Sequence, residues 1–154
     1  MPQTLTEFVD AARRARPDLR IDDYKVRTFG GSKAMADRIV PRIVSGEKTG
    51  TIALAAEFED DPGRAPRVGD LYVVTDWEGA PAVMYQVTEA QTLPYEAIGE
   101  QHVQVEGPNL RNLKAWQDVH WPYFGSMMRQ RGKEPSLQMP VIFQRYAIIY
   151  PQLP

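Results

Sequence analysis

The segment from Ile43 to Ile52 contains the residues best suited to chemistry. It reads I-V-S-G-E-K-T-G-T-I, an apolar-periodic run that ends at a glycine and is followed by one lysine and two threonines. Lys48 has apolar residues on both sides, and a partly buried lysine loses its proton more readily than an exposed one, so it can act as a base. A threonine hydroxyl beside such a lysine is a candidate nucleophile. Alternatively, Lys48 only complements the partial negative charge at the end of the preceding helix.

The spacing between Lys48 and Thr51 places a condition on this chemistry. In an extended strand, side chains three positions apart point to opposite faces, so the two residues meet only if the chain twists or bulges at Gly50. A carboxylate that positions the lysine would complete a catalytic group of lysine, threonine and acid. Residues 49–108 contain eleven acidic residues, and the pattern does not choose among them.

Other catalytic and metal-binding motifs are absent from the sequence. The chain has no cysteine, and its two histidines, His102 and His120, do not form an H-x-x-x-H or H-E-x-x-H pair, which argues against a zinc site. The acidic run at 57–61 could hold a hard cation, but it is more typical of a solvated loop. Gly30-Gly31-Ser32 lacks the spacing of a phosphate-binding or dinucleotide-binding loop, and it is typical of a turn before a helix.

Aromatic residues follow one another at helical spacing near the C-terminal end of the chain. Trp116, His120 and Phe124 fall at i, i+4 and i+8, which is typical of a core-facing stripe with one hydrogen-bonded histidine. The alternative is an aromatic wall on which a nucleobase stacks. Trp121 and Tyr123 lie on other faces of the same helix and could stack on a base if exposed.

Charge is unevenly distributed along the 154 residues, although the net charge is only −2. Residues 1–48 carry ten basic and seven acidic residues. Residues 49–108 carry two basic and eleven acidic residues, and residues 109–154 carry six basic and two acidic residues. A basic start and end could form one positive face that suits phosphates; scattered solvated surfaces are the alternative. The overall charge argues against tight nonspecific binding to duplex DNA. Without cysteines, an apolar span or a signal peptide, we expect a cytoplasmic protein that does not enter a membrane.

The periodicity of apolar residues predicts an α+β fold. The expected helical segments are 5–15, a helix after Ser32 that Pro41 kinks or breaks, a turn at 94–100, and 110–129, which Pro122 interrupts and could divide in two. The expected strands are 24–29, 51–58, 71–76, 82–91 and 141–150. Because the middle strands are joined by short turns, a doubly wound parallel sheet is disfavoured. A small, strongly curved sheet or partial barrel with helices packed on its openings fits best.

The chain from about Tyr24 to Tyr150 resembles the ASCH domain, an RNA-associated superfamily with the β-barrel fold of PUA-like domains. The resemblance rests on the order of several short pieces: Ala36-Asp37, Ile43 to Thr49, Val68-Gly69-Asp70, Glu106-Gly107, Trp116 to His120, and Phe124. In the family motif G-x-K-x-x-E-x-R, Gly46 and Lys48 match, whereas Thr51 and Ala53 replace the glutamate and the arginine. We therefore expect one ASCH-like domain over residues 1–154, with residues 1–22 as an N-terminal helical extension.

The resemblance also implies chemistry. The K-T-x-T-I sequence at 48–52 is similar to that of small amidohydrolases in the family, which remove the acetyl group from N4-acetylcytidine; by position their threonine nucleophile, lysine and glutamate fall on Thr51, Lys48 and Glu106. Some longer family members look like ribonucleases that act on single-stranded RNA. The expected partner is therefore a modified nucleoside or single-stranded RNA, bound by an enzyme or by a non-catalytic RNA-binding module. No cofactor is expected, and a divalent metal ion is relevant only to a ribonuclease.

Candidate substrate-binding residues complete these expectations. They are Thr49, Trp116, His120 and Tyr123.

Overall fold

The computed structural model describes residues 3–153, and its centre is a curled sheet of five strands. The strands are β1 (Lys25–Thr28), β2 (Gly50–Leu54), β3 (Leu71–Thr75), β4 (Pro81–Pro94) and β5 (Pro140–Tyr150). The α-helices of the described chain are α1 (Leu5–Ala15), α2 (Lys33–Val44), α3 (Glu100–Val103) and α4 (Leu113–Gln130). This mixture of helices and a mainly antiparallel sheet is the α+β class that the sequence predicts.

The sheet has the strand order β1-β3-β4-β5-β2, so that β1 and β2 form its two edges. β1 runs parallel to β3, and all other neighbouring strands are antiparallel. The pairing of β4 with β5 shifts register in two places, between Met84 and Tyr85 and between Val87 and Glu89. Such irregularities bend a strand and increase its twist. The sheet curls into a half-barrel, which confirms the predicted partial barrel.

Alternating residues of β3 show how the two faces of the sheet are covered. Leu71 and Val73 pack with the apolar face of α1, whereas Tyr72 and Val74 pack with Val40 and Ile43 of α2. Because side chains alternate between faces along a strand, α1 and α2 lie on opposite sides of the sheet. The predicted helix at 5–15 is confirmed, and Thr4 and Glu7 form its capping box.

A further core lies between α4 and the β2–β5 edge of the sheet. It is built from apolar side chains of both strands, of α4 and of the α3 region; among its buried members are Ile52, Leu54, Val103, Trp116, Phe124 and Phe143. Burial of this apolar surface fixes α4 beside the edge strand β2.

Both internal prolines lie within continuous helices, so the predicted division of a helix in two, at Pro41 or at Pro122, is wrong; a kink at Pro41 stays a prediction. A proline leaves the carbonyl four residues earlier without its helical donor. Those carbonyls belong to Asp37 and Asp118. These two residues and both prolines are exposed, so each proline lies on the solvent-facing side of its helix, where an unpaired backbone group is less costly than in the core.

The strand predicted at 51–58 ends early. β2 stops at Leu54, and the chain then turns through a short 3-10 helix, Ala55–Phe58. β2 is buried at every position, and the 3-10 helix alternates between half-buried and buried residues. Both parts are therefore rich in apolar residues, and apolar content alone does not distinguish the strand from the turn. The hairpin of β3 and β4 and the closing strand β5 are confirmed.

Among the helices within residues 3–153, none combines the length and the apolar character that crossing a bilayer requires.

Candidate functional site

A cavity of about 650 Å³ lies in the gap between the two edge strands of the half-barrel. Residues Arg27–Thr28 of β1 and Thr51–Leu54 of β2 contribute to its walls, together with α2, α4 and the segment that follows α3. Lys48, Thr51 and Glu106 all line this cavity. The structure therefore brings together the three residues to which the family resemblance assigns catalysis.

Lys48 and Glu106 form a buried ion pair. Lys48 Nζ donates a hydrogen bond to Glu106 Oε2 over 2.7 Å, and the two side chains are only 6% and 5% exposed. The other carboxylate oxygen, Oε1, is buried and accepts no hydrogen bond from residues 3–153. Removing charges from water is costly, so a buried pair of this kind persists only where the surroundings hold both groups in place.

Backbone contacts hold these two distant segments side by side. The Thr49 N–H donates to the Val105 carbonyl over 2.9 Å, and Arg111 donates to the carbonyls of both Glu47 and Glu106. The segments that carry Lys48 and Glu106 are therefore linked by a direct backbone hydrogen bond and by the Arg111 guanidinium, which bonds to both.

Thr51 lines the same cavity, and its hydroxyl has no hydrogen-bond partner among the described residues. Thr51 is 6% exposed, and no described residue hydrogen-bonds to its side chain. In particular, the Lys48 ammonium bonds to Glu106 and not to Thr51. No described residue therefore competes with a ligand for this hydroxyl.

Gly50 permits this arrangement without a bulge, which was one of the two expected routes. β2 pairs with β5 in regular register from Gly50 onward, and Lys48 and Thr49 lie before the strand, where the alternation of faces no longer applies. A Cβ at Gly50 would lie 2.1 Å from the Gln144 carbonyl oxygen and 2.9 Å from Val105 Cβ. Only glycine fits where the two segments approach.

His120 lines the cavity, whereas Trp116 lies behind it. Trp116 is fully buried in the core, so its ring is not a surface on which a substrate base can stack. The His120 ring stacks on Trp116, with centroids 4.5 Å apart and planes at 13°. Its Nδ1 lies 2.9 Å from the Trp116 carbonyl oxygen. The stripe is therefore core-facing at Trp116 and cavity-facing at His120.

The remaining candidate binding residues differ in position. Tyr123 lines the cavity and is 46% exposed, so its ring is available to a ligand. Thr49 is exposed and does not belong to the cavity wall; its backbone N–H and C=O bind Val105 and Tyr146.

Three arginines that the sequence analysis did not single out also line the cavity. Arg27 comes from β1, and Arg38 and Arg42 lie one turn apart on α2. None of them forms an ion pair with a carboxylate of the described chain; Arg42 donates instead to the Asn109 side chain. The sequence signal for Arg38 and Arg42 is their i, i+4 spacing, which places both on the polar face of α2, away from the apolar face that predicted the helix.

The electrostatics of the cavity favour anions. Its wall carries four basic side chains, Arg27, Arg38, Arg42 and Lys48, against the carboxylates Glu57 and Glu106. Burial lowers the pKa of the His120 imidazole below its ordinary range, and the nearby Glu106 carboxylate opposes that shift. Across residues 3–153, no group of three or more His, Cys, Asp or Glu side chains is arranged to hold a metal ion.

Two solved structures share this architecture. The ASCH domain from Lactobacillus crispatus JV V101 superposes with a TM-score of 0.82 at 22% sequence identity, over 94% of this chain and 92% of that one. Protein EF3133 from Enterococcus faecalis V583 superposes with a TM-score of 0.78 at 21% identity, over 94% of each chain. At these identities the likeness concerns the fold.

Sequence comparison gives the family. No functionally curated protein matches the chain significantly. The sequence profile of the ASCH domain matches residues 25–150, from β1 to the end of β5. The match contains the edge strands, the cavity and the Lys48–Glu106 pair. The chain therefore belongs to the ASCH domain family, with its PUA-like fold.

Proposed function

We propose that this ASCH domain is a hydrolase of modified RNA nucleosides, an amidohydrolase that removes the acyl group from N4-acylated cytidine. The observation that carries this proposal is the convergence of a free threonine hydroxyl and a buried lysine–glutamate pair in one cavity. Acyl transfer needs a nucleophile and a donor for the charge that develops on the carbonyl oxygen. Thr51 is the nucleophile, and the Lys48 ammonium is that donor.

The reaction proceeds in two stages. Thr51 Oγ1 attacks the acyl carbonyl carbon, and the bond from that carbon to N4 of cytidine breaks as N4 takes up a proton. Water then attacks the ester on Thr51, which releases the carboxylic acid and restores the hydroxyl. Glu106 holds Lys48 at the carbonyl oxygen in both stages, so that the positive charge is in place before the negative charge develops.

The size and lining of the cavity support a nucleoside as the substrate. Its volume of about 650 Å³ lies within the range of small-molecule sites. Phe29, Ile52 and Phe124 supply apolar wall, and the exposed ring of Tyr123 offers a face on which a base can stack. The polar centre then lies beside the exocyclic group of the base.

The test compares the release of cytidine from N4-acetylcytidine by the wild type, by Lys48→Met and by Lys114→Met. Lys114 is an exposed lysine on α4 that pairs with Asp118, so it serves as a matched control. Loss of a preorganised oxyanion donor lowers kcat by about 10²–10³-fold. We expect that loss for Lys48→Met and wild-type rates for Lys114→Met. An inactive wild type, or equal rates for all three proteins, would contradict the proposal.

A ribonuclease is the second candidate, because Arg27, Arg38 and Arg42, which form no ion pair with a carboxylate of the described chain, suit phosphate groups. In that case the wild type shortens a single-stranded RNA oligomer and leaves N4-acetylcytidine intact, and the rate is measured with and without divalent ions. A non-catalytic RNA-binding module would turn over neither substrate. Its affinity for the oligomer would fall with rising salt, and the slope would be smaller after Arg38→Met.

A further inference from the structure

The imidazole of His120 is held in one orientation and one tautomer. Its Nδ1 lies 2.9 Å from the Trp116 carbonyl oxygen, and a carbonyl only accepts hydrogen bonds, so Nδ1 carries the proton. In the neutral ring Nε2 is then an unprotonated acceptor. The ring is clamped by stacking on Trp116 at 4.5 Å and by the edge of Phe124 at 5.4 Å.

His120 lines the cavity, and its Nε2 is a base without a hydrogen-bond partner among the described residues. No residue of the described chain hydrogen-bonds to it, whereas the Lys48 ammonium and Glu106 Oε2 already bond to each other. Thr51, whose hydroxyl has no partner either, lines the same cavity. An acyl transfer from N4 needs a group that accepts the hydroxyl proton and then donates it, and a neutral imidazole suits that task.

We propose that His120 is a catalytic residue that carries the proton of the reaction between Thr51, the leaving nitrogen and water. This inference rests on the proposed amidohydrolase function. As the bond from Thr51 Oγ1 to the acyl carbon forms, Nε2 takes the hydroxyl proton; as the bond from carbon to N4 breaks, Nε2 gives that proton to N4. In the second stage Nε2 takes a proton from the attacking water and returns it to Thr51 Oγ1 when the ester bond breaks.

The surroundings of His120 suit this cycle. The charged groups that bear on the ring are Glu106 and Lys48 across the cavity; the other charged groups of the wall are Arg27, Arg38, Arg42 and Glu57. Burial outweighs the attraction of Glu106 and lowers the pKa of the imidazole, which favours the neutral form that a proton acceptor needs.

The test measures kcat and KM for N4-acetylcytidine as a function of pH in the wild type, in His120→Asn and in His102→Gln. The asparagine amide can still donate to the Trp116 carbonyl but cannot carry a proton. We expect kcat of His120→Asn to fall by about 10²–10⁴-fold with KM changed only a few-fold, and the decline of wild-type kcat at acid pH to be absent from the variant. His102 lies outside the cavity, with its Nδ1 accepting from the Gly99 N–H, so His102→Gln should retain the wild-type profile.

A measurement on the wild type keeps the inference testable if His120→Asn does not fold. Nitrogen NMR of the two histidines gives their tautomers and titration midpoints, and His102→Gln assigns the signals. We expect the Nδ1–H tautomer at His120 and a midpoint that coincides with the acid decline of kcat/KM. A His120 midpoint that differs from the acid decline of kcat/KM would overturn the role of His120 but not the proposed function. The same holds if His120→Asn keeps kcat and its pH dependence while KM rises. A wild type that releases no cytidine would overturn the proposed function as well.

Discussion

The buried pair of Lys48 and Glu106 is the feature on which the site depends at the scale of single residues. Residue types alone identify only Lys48 of this pair, because a single lysine flanked by apolar residues is unusual. Glu106 lies 58 positions away, and its choice among eleven acids of the middle segment came from the family resemblance. Local patterns do not report contacts that the fold makes between distant segments.

Breaking the pair should cost more than removing it. In Lys48→Met the Glu106 carboxylate is left buried without its partner, and we expect the free energy of unfolding to fall by about 3–5 kcal/mol. In the double variant Lys48→Met/Glu106→Leu no buried charge remains, and much of that loss should be recovered. Urea denaturation monitored by tryptophan fluorescence measures both. Additive losses in the double variant would show that the two groups do not interact as the structure indicates.

Both histidines should weaken the fold as the pH falls. Burial lowers the pKa of His102 and of His120, so the unfolded chain binds protons first, near the ordinary histidine pKa of about 6.5. The free energy of unfolding should therefore decrease as the pH falls through that range and level off below the folded-state pKa values. The comparison is between wild type and His102→Gln/His120→Asn at pH ~7.5 and pH ~5.5. An equal decrease in both proteins would mean that these imidazoles are not responsible.

At the scale of elements, the sequence predicts helices and strands well where local chemistry decides them. The capping box of Thr4 and Glu7 fixed the start of α1, and Ser32 fixed the start of α2. The predicted division of a helix at Pro41 or Pro122 was wrong, because a helix tolerates a proline better on its solvent-facing side than against the core. Exposure follows from packing, which the local sequence does not specify.

Gly50 shows how one element depends on close packing. We expect Gly50→Ala to lower the free energy of unfolding by at least about 1–3 kcal/mol, because its methyl group would collide with the Gln144 carbonyl of β5, which cannot move without disturbing the sheet. Gly63→Ala is the control, since its Cβ would make only an ordinary 3.5 Å contact with Asp61 Oδ1. Thermal or urea unfolding measures both. Equal effects of the two substitutions would contradict the close approach at Gly50.

At the scale of the whole molecule, the cavity exists because the half-barrel does not close. Its edges, β1 and β2, are far apart in strand order and face each other across the gap, where α2 and α4 complete the wall. The four cations of that wall all come from residues 1–48, the basic first segment of the chain. The charge segregation was visible in the sequence. The gap that gathers these charges follows from sheet topology, which periodicity alone does not give.

The most direct test of the central claim is the rate at which Thr51→Val and Thr51→Ser release cytidine from N4-acetylcytidine, relative to the wild type. Valine matches the shape of threonine without its hydroxyl, whereas serine retains the nucleophile. If Thr51 Oγ1 attacks the acyl carbon, Thr51→Val is inactive and Thr51→Ser retains measurable turnover, although both fold. A Thr51→Val protein that releases cytidine at the wild-type rate would contradict the account.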